Sequence, residues 1–248
     1  MRTLLTAFAA LLALSLVPSP AHAVTTQEIF AKVDANLTYD TRESTVSMTV
    51  TKNGRTNSYT MHSYGKGQDI AAVEYLEPAR DKGTKMLKLA DNLSMYLPSM
   101  EKTQKISGHM LRQSMMGSDL SYEDMMQASK WQTMYTGTVQ GEETVDGHKC
   151  WKIEMKANSA DVSYPKRIVW IDEAAYIPVK QELYALSGML LKTWTMGDVK
   201  VIGARQFPMK MVVEDKLQQG SSTTLTFQDI KFSVALEDEV FTERWLER

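Results

Sequence analysis

Cysteine and histidine are scarce in this sequence, and their scarcity excludes several kinds of site. Cys150 is the only cysteine among the 248 residues, so the chain cannot form an internal disulfide. The chain has four histidines, and none stands at the paired spacing that zinc sites use. The sequence therefore predicts neither a disulfide framework nor a zinc centre. Cys150 lies in an alternating stretch, and we expect its thiol to be buried and unreactive.

Basic residues do not outnumber acidic ones. The chain has 28 lysines and arginines against 30 aspartates and glutamates, which gives a formal net charge of −2 at pH 7. Nucleic-acid binding asks for a clustered basic surface, and electrostatic membrane binding asks for a basic segment. The sequence shows neither, and it therefore predicts no nucleic-acid partner.

The N-terminal apolar run, from Leu4 to Val17, is shorter than the roughly 20 residues that a membrane-spanning helix needs. Arg2 precedes this run, and the small residues of Ala21-His22-Ala23 follow it. This order of charge, apolar run and small residues is typical of a cleaved secretory signal. We therefore expect residues 1–23 to be a signal peptide and residues 24–248 to form one domain in the periplasm.

Two hydrophobic periods divide the rest of the chain. Residues 25–28 have the spacing of a capping box, and the apolar residues behind them predict a helix over 26–37. From Glu43 onwards the period changes to two, and Asn53-Gly54 marks a hairpin turn. Further strands are predicted at 57–64, 70–76, 84–90, 93–97, 131–139, 149–156, 166–172, 179–186, 189–196, 198–203, 207–217 and 222–232.

This pattern predicts a mainly β (α+β) domain. One face of the strands is apolar and the other is rich in Thr, Lys, Glu and Gln, as in an antiparallel sheet with one solvated face. Only two places favour helix, residues 26–37 and some part of 108–131. A curved antiparallel sheet covered by two or three helices agrees with the many predicted strands and the few predicted helices. The space between sheet and helices is then either a filled core or a cavity.

The stretch 115–126, MMGSDLSYEDMM, places methionine pairs on both sides of an acidic turn and allows three interpretations. The first is a Cu(I) site, because methionine is a soft ligand and His109 stands nearby. However, copper ligands normally gather at short fixed spacings, which His109 and Met115 do not show. Methionine is also a common adaptable side chain on apolar surfaces. We therefore predict no metal and no cofactor.

The second interpretation is catalytic. Ser118 with His109 and a distant acid would form a hydrolase triad, and the three carboxylates of the turn contain pairs of the glycosidase type. Ser118 lacks the glycine-flanked elbow that exposes a nucleophile. We therefore interpret the polar residues as structural, either as helix caps or as first-turn carboxylates, and predict no enzyme. The predicted turn and cap residues are Gly117, Ser118, Asp119, Ser121, Glu123 and Asp124.

The third interpretation is an adaptable apolar lid. The segment is rich in large apolar side chains, and Gly108 and Gly117 are candidate hinges. Such a segment suits a cover over an apolar ligand, whereas a packed helix and loop at one end of the sheet would show the same pattern. The apolar residues are Met110, Leu111, Met115, Met116, Leu120, Tyr122, Met125 and Met126.

Several short motifs carry a resemblance to a known family. They are Leu76-Glu77-Pro78, Lys82-Gly83-Thr84, Tyr96-Leu97-Pro98, Met116 to Asp124, Tyr164-Pro165-Lys166, Ile168 to Asp172, Pro178-Val179-Lys180, Asp229-Ile230 and Val240-Phe241-Thr242. Together they span nearly all of residues 24–248. They resemble the outer membrane lipoprotein-sorting protein family, in the superfamily of the lipoprotein carriers LolA and LolB and the sensor RseB.

The resemblance implies a curved antiparallel half-barrel with a few helices covering an apolar cavity. It also implies a non-enzymatic, monomeric periplasmic carrier that takes the acyl chains of a lipid or lipoprotein toward the outer membrane. An RND-type inner-membrane transporter and an outer-membrane acceptor are the implied partners. Alternative functions are an RseB-like sensor or adaptor that binds a lipidated or unfolded protein, a hydrolase, and a Cu(I)-binding protein.

A carrier of this kind needs a lining that shields an acyl chain from water, which is worth about 0.8 kcal/mol for each CH₂ group. The turn and the alternation of the strands together indicate which side chains supply that lining. The predicted ligand-binding residues of cavity and lid are Met48, Met86, Met95, Met115, Met116, Leu120, Tyr122, Trp151, Ile153 and Trp170.

Overall fold

A computed structural model of the protein describes residues 24–127, 131–160 and 162–248. The expected signal peptide, residues 1–23, lies outside the described residues. Within the described ranges, thirteen antiparallel strands form one curved open sheet. The helices in these ranges are all too short or too polar to cross a membrane. The predicted fold class, a mainly β domain built on a curved antiparallel half-barrel, is confirmed.

The first helix, α1, spans Thr26–Leu37, as the sequence predicts. Its capping box is complete, because the Thr25 backbone N–H donates to Glu28 Oε2 at 2.8 Å and the Glu28 backbone N–H donates to Thr25 Oγ1 at 3.3 Å. Ile29, Phe30 and Val33 are buried on one face of the helix. That apolar stripe packs α1 onto the sheet.

The strands follow one another as antiparallel neighbours, except where β1 pairs with β13 and so joins the two halves of the sheet. The order across the sheet is β6-β5-β4-β3-β2-β1-β13-β12-β11-β10-β9-β8-β7, which leaves β6 and β7 as edges. The strand bounds are β1 Thr41–Lys52, β2 Arg55–Lys66, β3 Ile70–Glu77, β4 Lys85–Leu89, β5 Asn92–Leu97, β6 Lys102–Ile106, β7 Tyr135–Val145, β8 His148–Ala157, β9 Lys166–Asp172, β10 Pro178–Tyr184, β11 Leu190–Ile202, β12 Arg205–Asp215 and β13 Ser222–Phe232.

Two strand predictions were wrong in detail. Residues 189–196 and 198–203 were expected to form two strands, but they belong to the single strand β11. Gly197-Asp198 resembles a turn, and Asp198 has a positive φ of 53°, yet β12 pairs with β11 on both sides of it, so the chain does not reverse there. The predicted strand at 131–139 begins later, at Tyr135, because its first residues form a helical turn.

The second predicted helical place is broken into short pieces. Helix α2 spans Tyr122–Gln127, and helix α3, which begins where that place ends, spans Trp131–Met134. A further short helix, α4, lies near the C-terminus and spans Glu243–Leu246. Before α2, two 3₁₀ turns span Gly108–Arg112 and Met115–Gly117. Met116 and Gly117 have φ values of 51° and 76°, so the chain turns there and cannot continue as a helix. We call residues 107–127 the covering segment.

The covering segment and α1 lie on the same face of the sheet, which we call the inner face. Two apolar clusters pack there. The first cluster joins the covering segment to strands β1–β5 and includes Val46, Met48, Val50, Tyr59, Met61, Tyr75, Met86, Leu93, Met95, Met115, Leu120, Tyr122 and Met126. The second cluster packs α1 on strands β7–β9 and includes Ile29, Phe30, Val33, Trp131, Tyr135, Trp151, Ile153, Met155, Val169 and Ile171.

The outer face carries smaller apolar clusters. Leu246 of α4 is buried there against Ala72 and Leu87. Cys150 is fully buried beside Trp170 and Val179, and burial raises the pKa of its thiol to about 11. The expectation of a buried thiol is therefore confirmed.

Gly137 allows α1 to lie directly on β7. A Cβ at this position would come within 2.6 Å of Thr26 Cγ2 and within 3.0 Å of the Phe30 ring. We expect Gly137→Ala to lower the free energy of unfolding by about 1–3 kcal/mol, because the Thr26 and Phe30 side chains of α1 must give way to the added methyl group. Urea denaturation measures this change. Gly197 is the matched control, since a Cβ there meets nothing within 4 Å, and Gly197→Ala should change the free energy of unfolding by less than about 1 kcal/mol. Equal losses in the two variants would contradict the close approach of α1.

Candidate functional site

Asp119 fastens the covering segment to the sheet. Its carboxylate accepts hydrogen bonds from Thr223 Oγ1 at 2.7 Å and from Ser221 Oγ, and its backbone N–H donates to Thr223 Oγ1 at 2.8 Å. Asp119 is only 4 % exposed. The sequence pattern predicts this carboxylate to be a turn or helix-cap residue. The structure instead uses it as a tertiary contact between the covering segment and the start of β13.

Ser121 and Asp124 form the cap of α2. The Ser121 backbone N–H donates to Asp124 Oδ2 at 2.8 Å, and the Asp124 backbone N–H donates to Ser121 Oγ at 3.1 Å. Asp124 Oδ2 also accepts from Lys192 Nζ at 2.8 Å, which ties α2 to β11. Glu123 lies in the same first turn and accepts from Gln127 Nε2 at 2.5 Å. These contacts give the acidic residues structural partners.

Ser118 has a structural role in the turn as well. Its hydroxyl donates to the Met115 carbonyl at 2.6 Å, and it accepts from the Leu120 backbone N–H at 3.2 Å. Ser118 is 1 % exposed, whereas His109, the base of the hydrolase alternative, is exposed on the preceding 3₁₀ turn. The hydroxyl therefore bonds to backbone groups of its own turn. Within residues 24–127, 131–160 and 162–248, no group of three His, Cys, Asp or Glu side chains could hold a metal ion.

A cavity of about 330 Å³ lies between the covering segment, the end of α1 and the sheet. This size is within the range of small-molecule sites. Most of the wall is apolar, and it draws on both halves of the sheet. The apolar wall includes Leu37, Val46, Met61, Val73, Met86, Met115, Leu120, Met125, Met211, Leu225 and Phe227.

Nine of the ten predicted ligand-binding residues divide into three groups on the inner face. Met86, Met115 and Leu120 line the cavity. Met48, Met95, Met116 and Tyr122 belong to or pack against the first inner cluster, next to the cavity. Trp151 and Ile153 lie in the second inner cluster, beneath α1. The structure therefore brings the first two groups together around the covering segment, and it leaves the third under the helix.

Trp170 lies on the outer face, which differs from the face that alternation assigned to it. Ile153 and Trp151 pair with Val169 and Ile171, so the inner residues of β9 are its odd-numbered ones. The Trp170 ring instead lies beneath Lys180 Nζ, 4.4 Å from the ring centroid, and its Nε1 donates to a glutamate at 2.7 Å. The run Ile168 to Ile171 is apolar on both faces, so alternation alone could not assign the inner one.

Sequence reasoning missed a set of polar residues in the cavity wall. They include Arg42, Tyr75, Lys88, Arg167 and Trp194. Arg42 could have been found, because it precedes Val46 by four residues on β1 and alternation puts both on the inner face. Burial raises the pKa of Tyr75, which is fully buried. The cavity is thus apolar with a few polar groups.

Comparisons with known proteins agree with this architecture. A family model described as "Uncharacterized protein" matches residues 67–248. A DUF1329 family protein from Desulfovibrio piger is 24% identical, with a TM-score of 0.83 over 88% of this chain and 96% of that chain. No curated protein matches the chain significantly.

Two further crystal structures are similar. A domain from Vibrio parahaemolyticus named as an outer membrane lipoprotein-sorting protein is 24% identical, with a TM-score of 0.80 over 89% of this chain and 97% of that chain. A LolA superfamily protein from Nitrosomonas europaea is 24% identical, with a TM-score of 0.75 over 90% of this chain and 100% of that chain. The chain therefore belongs to the family that the matching model describes, and it has the fold of the outer membrane lipoprotein-sorting proteins of the LolA superfamily.

Proposed function

We propose that this protein is a non-enzymatic periplasmic carrier that binds the acyl chains of a lipid or lipoprotein in its cavity. The observation that carries the proposal is the apolar cavity of about 330 Å³ beneath a methionine-rich covering segment. The shared fold with a domain named for outer membrane lipoprotein sorting supports it.

The lining suits chains of variable shape. Each CH₂ group withdrawn from water contributes about 0.8 kcal/mol, so an apolar wall alone can hold an acyl chain. Met61, Met86, Met115 and Met125 are flexible side chains that repack around different ligands. A carrier must also release its cargo. Because flexible side chains can fill the space that the ligand leaves, they lower the free-energy cost of an empty cavity.

The turn of the covering segment is held to the sheet by polar contacts, and we propose that this turn opens to release the ligand. Tyr59 Oη and Lys52 Nζ donate to the carbonyls of Met116 and Gly117, each at 3.3 Å. With the Asp119 contacts, these bonds all fall within residues 116–119, around the turn of positive φ. Release of the turn would expose Met115 and Leu120 together, and with them the bound chain.

The direction of transfer completes the proposal. We propose an RND-type inner-membrane transporter as donor and the outer membrane as destination, in line with the resemblance carried by the motifs from Leu76 to Thr242. The protein would then act as a shuttle with no chemical step of its own.

Native mass spectrometry of the protein purified from its own periplasm tests the proposal, followed by organic extraction and lipid analysis. We expect a stoichiometric lipid or acylated peptide. A clean unliganded mass, together with no uptake of added phospholipid or acyl peptide, would contradict the carrier. A stable protein partner in place of the lipid would favour the sensor alternative.

A further inference from the structure

We propose that the cavity binds an amphiphile with an anionic headgroup, and that Arg42 and Lys88 at one end of the cavity hold that headgroup. The inference rests on the proposed function, because it names the class of lipid that the same cavity takes. It goes beyond that function because an acyl chain alone needs no charged partner.

The charges of the wall are the first argument. Among the described lining residues, Arg42, Lys88 and Arg167 are cationic, and Asp124 is the carboxylate. Asp124 is already engaged by Lys192 at 2.8 Å and by the Ser121 backbone N–H. Its charge is therefore compensated at α2, and the described lining carries more cations than carboxylates. A site of this sign favours an anionic ligand.

Arg42 is the second argument. Its guanidinium lies over the rings of Tyr39 and Phe227, at 4.9 Å and 6.0 Å from their centroids. Its Nε is buried without a hydrogen-bond acceptor, and no carboxylate of the described residues pairs with it. An arginine stays charged in proteins, and a buried donor without an acceptor costs free energy. A carboxylate or phosphate oxygen would remove that cost.

The placement of Lys88 is the third argument. Pairing of β1 through β4 puts Arg42, Gly65, Ala71 and Lys88 in one row across the sheet. Three strand spacings separate the two cations, about 14 Å at the backbone. Of the two residues between them, Ala71 is small and Gly65 is covered by the Tyr39 ring, since a Cβ at Gly65 would come within 2.7 Å of Tyr39 Oη. Arg42, the Tyr39 hydroxyl and Lys88 therefore line the same end of the cavity. Lys88 Nζ is held at this end by the Gln68 and Met126 carbonyls, at 3.1 Å and 3.3 Å.

Other buried donors face the same cavity. Tyr75 Oη and Trp194 Nε1 are buried without acceptors, and Gln127 Oε1 is an acceptor without a donor. Tyr75 is 0% exposed. Unpaired donors thus outnumber unpaired acceptors in the described wall, so the missing partner is a ligand rich in acceptor oxygens.

The experiment compares lipids that share a chain and differ in charge. The delipidated protein is loaded with N-phenyl-1-naphthylamine, a neutral fluorescent probe, and the probe is displaced by oleate or methyl oleate, and by oleoyl lysophosphatidate or monooleoylglycerol. We expect each anion to displace the probe at about 10-fold lower concentration than its neutral partner, as one charge-assisted hydrogen bond would give. If lysophosphatidate displaces the probe at a lower concentration than oleate does, the headgroup is a phosphate. If oleate acts at the lower concentration, the headgroup is a carboxylate.

Variants locate the recognition. Arg42→Gln should abolish the preference for anions over their neutral partners, and Arg42→Lys should restore part of it. Arg55→Gln is the matched control, since Arg55 is exposed at the start of β2. Equal displacement by anionic and neutral lipids would overturn the headgroup site and leave the carrier intact. Failure of the protein to take up the probe or any of the four lipids would overturn the carrier as well. A preference that survives in Arg42→Gln would also overturn the assignment to Arg42.

Discussion

Asp119→Ala is expected to lower the free energy of unfolding by about 3 kcal/mol, one of the largest effects of a single substitution in this protein. The variant removes a carboxylate that accepts from Ser221 and Thr223 and leaves both hydroxyls buried without it. Hydrogen bonds to charged groups are worth about 1.5–3 kcal/mol each, and buried unpaired donors add a further cost. Urea denaturation followed by tryptophan fluorescence measures the loss.

The same variant should loosen the covering segment before the rest of the protein. Limited proteolysis under native conditions should cut residues 107–127 faster in Asp119→Ala than in the parent protein, while strands β8–β10 keep their hydrogen-exchange protection. Asp119→Asn should lower the free energy of unfolding less than Asp119→Ala does, because the amide oxygen still accepts a hydrogen bond from one of the two hydroxyls. Asp238→Ala is the control, since this exposed carboxylate forms a surface ion pair with Lys66, and its loss should lower the free energy of unfolding by less than about 1 kcal/mol. Unchanged stability of Asp119→Ala would show that the covering segment is not held by this carboxylate.

Much of the fold could be predicted because apolar alternation is a direct consequence of a sheet with one covered face. The bounds of α1 and β13 follow from the capping box and from the turns on either side of the strand. Strand β6 was missed, because Lys102 to Lys105 are polar and exposed on an edge and show no apolar face. The helix α4 was missed too, since its single buried residue, Leu246, is too little for a periodic pattern.

The candidate site was less predictable, for a different physical reason. A cavity wall depends on which strands become neighbours, and β1 meets β13 only through the pairing of residues far apart in the chain. Arg42 and Lys88 share one row of the sheet through three strand pairings, and no local pattern reports that. Local chemistry did predict the cap of α2, because Ser121 and Asp124 are close in sequence. Local signals therefore gave the turn, and long-range register determined the cavity.

Ala71→Trp is expected to weaken ligand binding, with at least about a 10-fold rise in the Kd of the neutral probe, measured by direct titration of its fluorescence. Ala71 lines the cavity on β3, on the same face as Val73 and Tyr75. An indole at this position occupies space that an acyl chain would otherwise fill. Thr56→Trp is the matched control, because Thr56 is exposed and lies on the outer face of β2, and its binding should equal that of the parent protein.

The stability of the same variant separates a cavity from a filled core, the two structures that the sequence pattern left open. An indole forced into a packed interior costs about 1–3 kcal/mol, whereas an indole that enters existing space buries apolar surface at little cost. We therefore expect Ala71→Trp to melt within about 4 °C of the parent protein while its binding is weakened. Weakened binding together with a large fall in melting temperature would mean that the wall is already closed around Ala71. Retained binding with retained stability would place the ligand elsewhere, because the indole and the acyl chain would then not compete for the same volume.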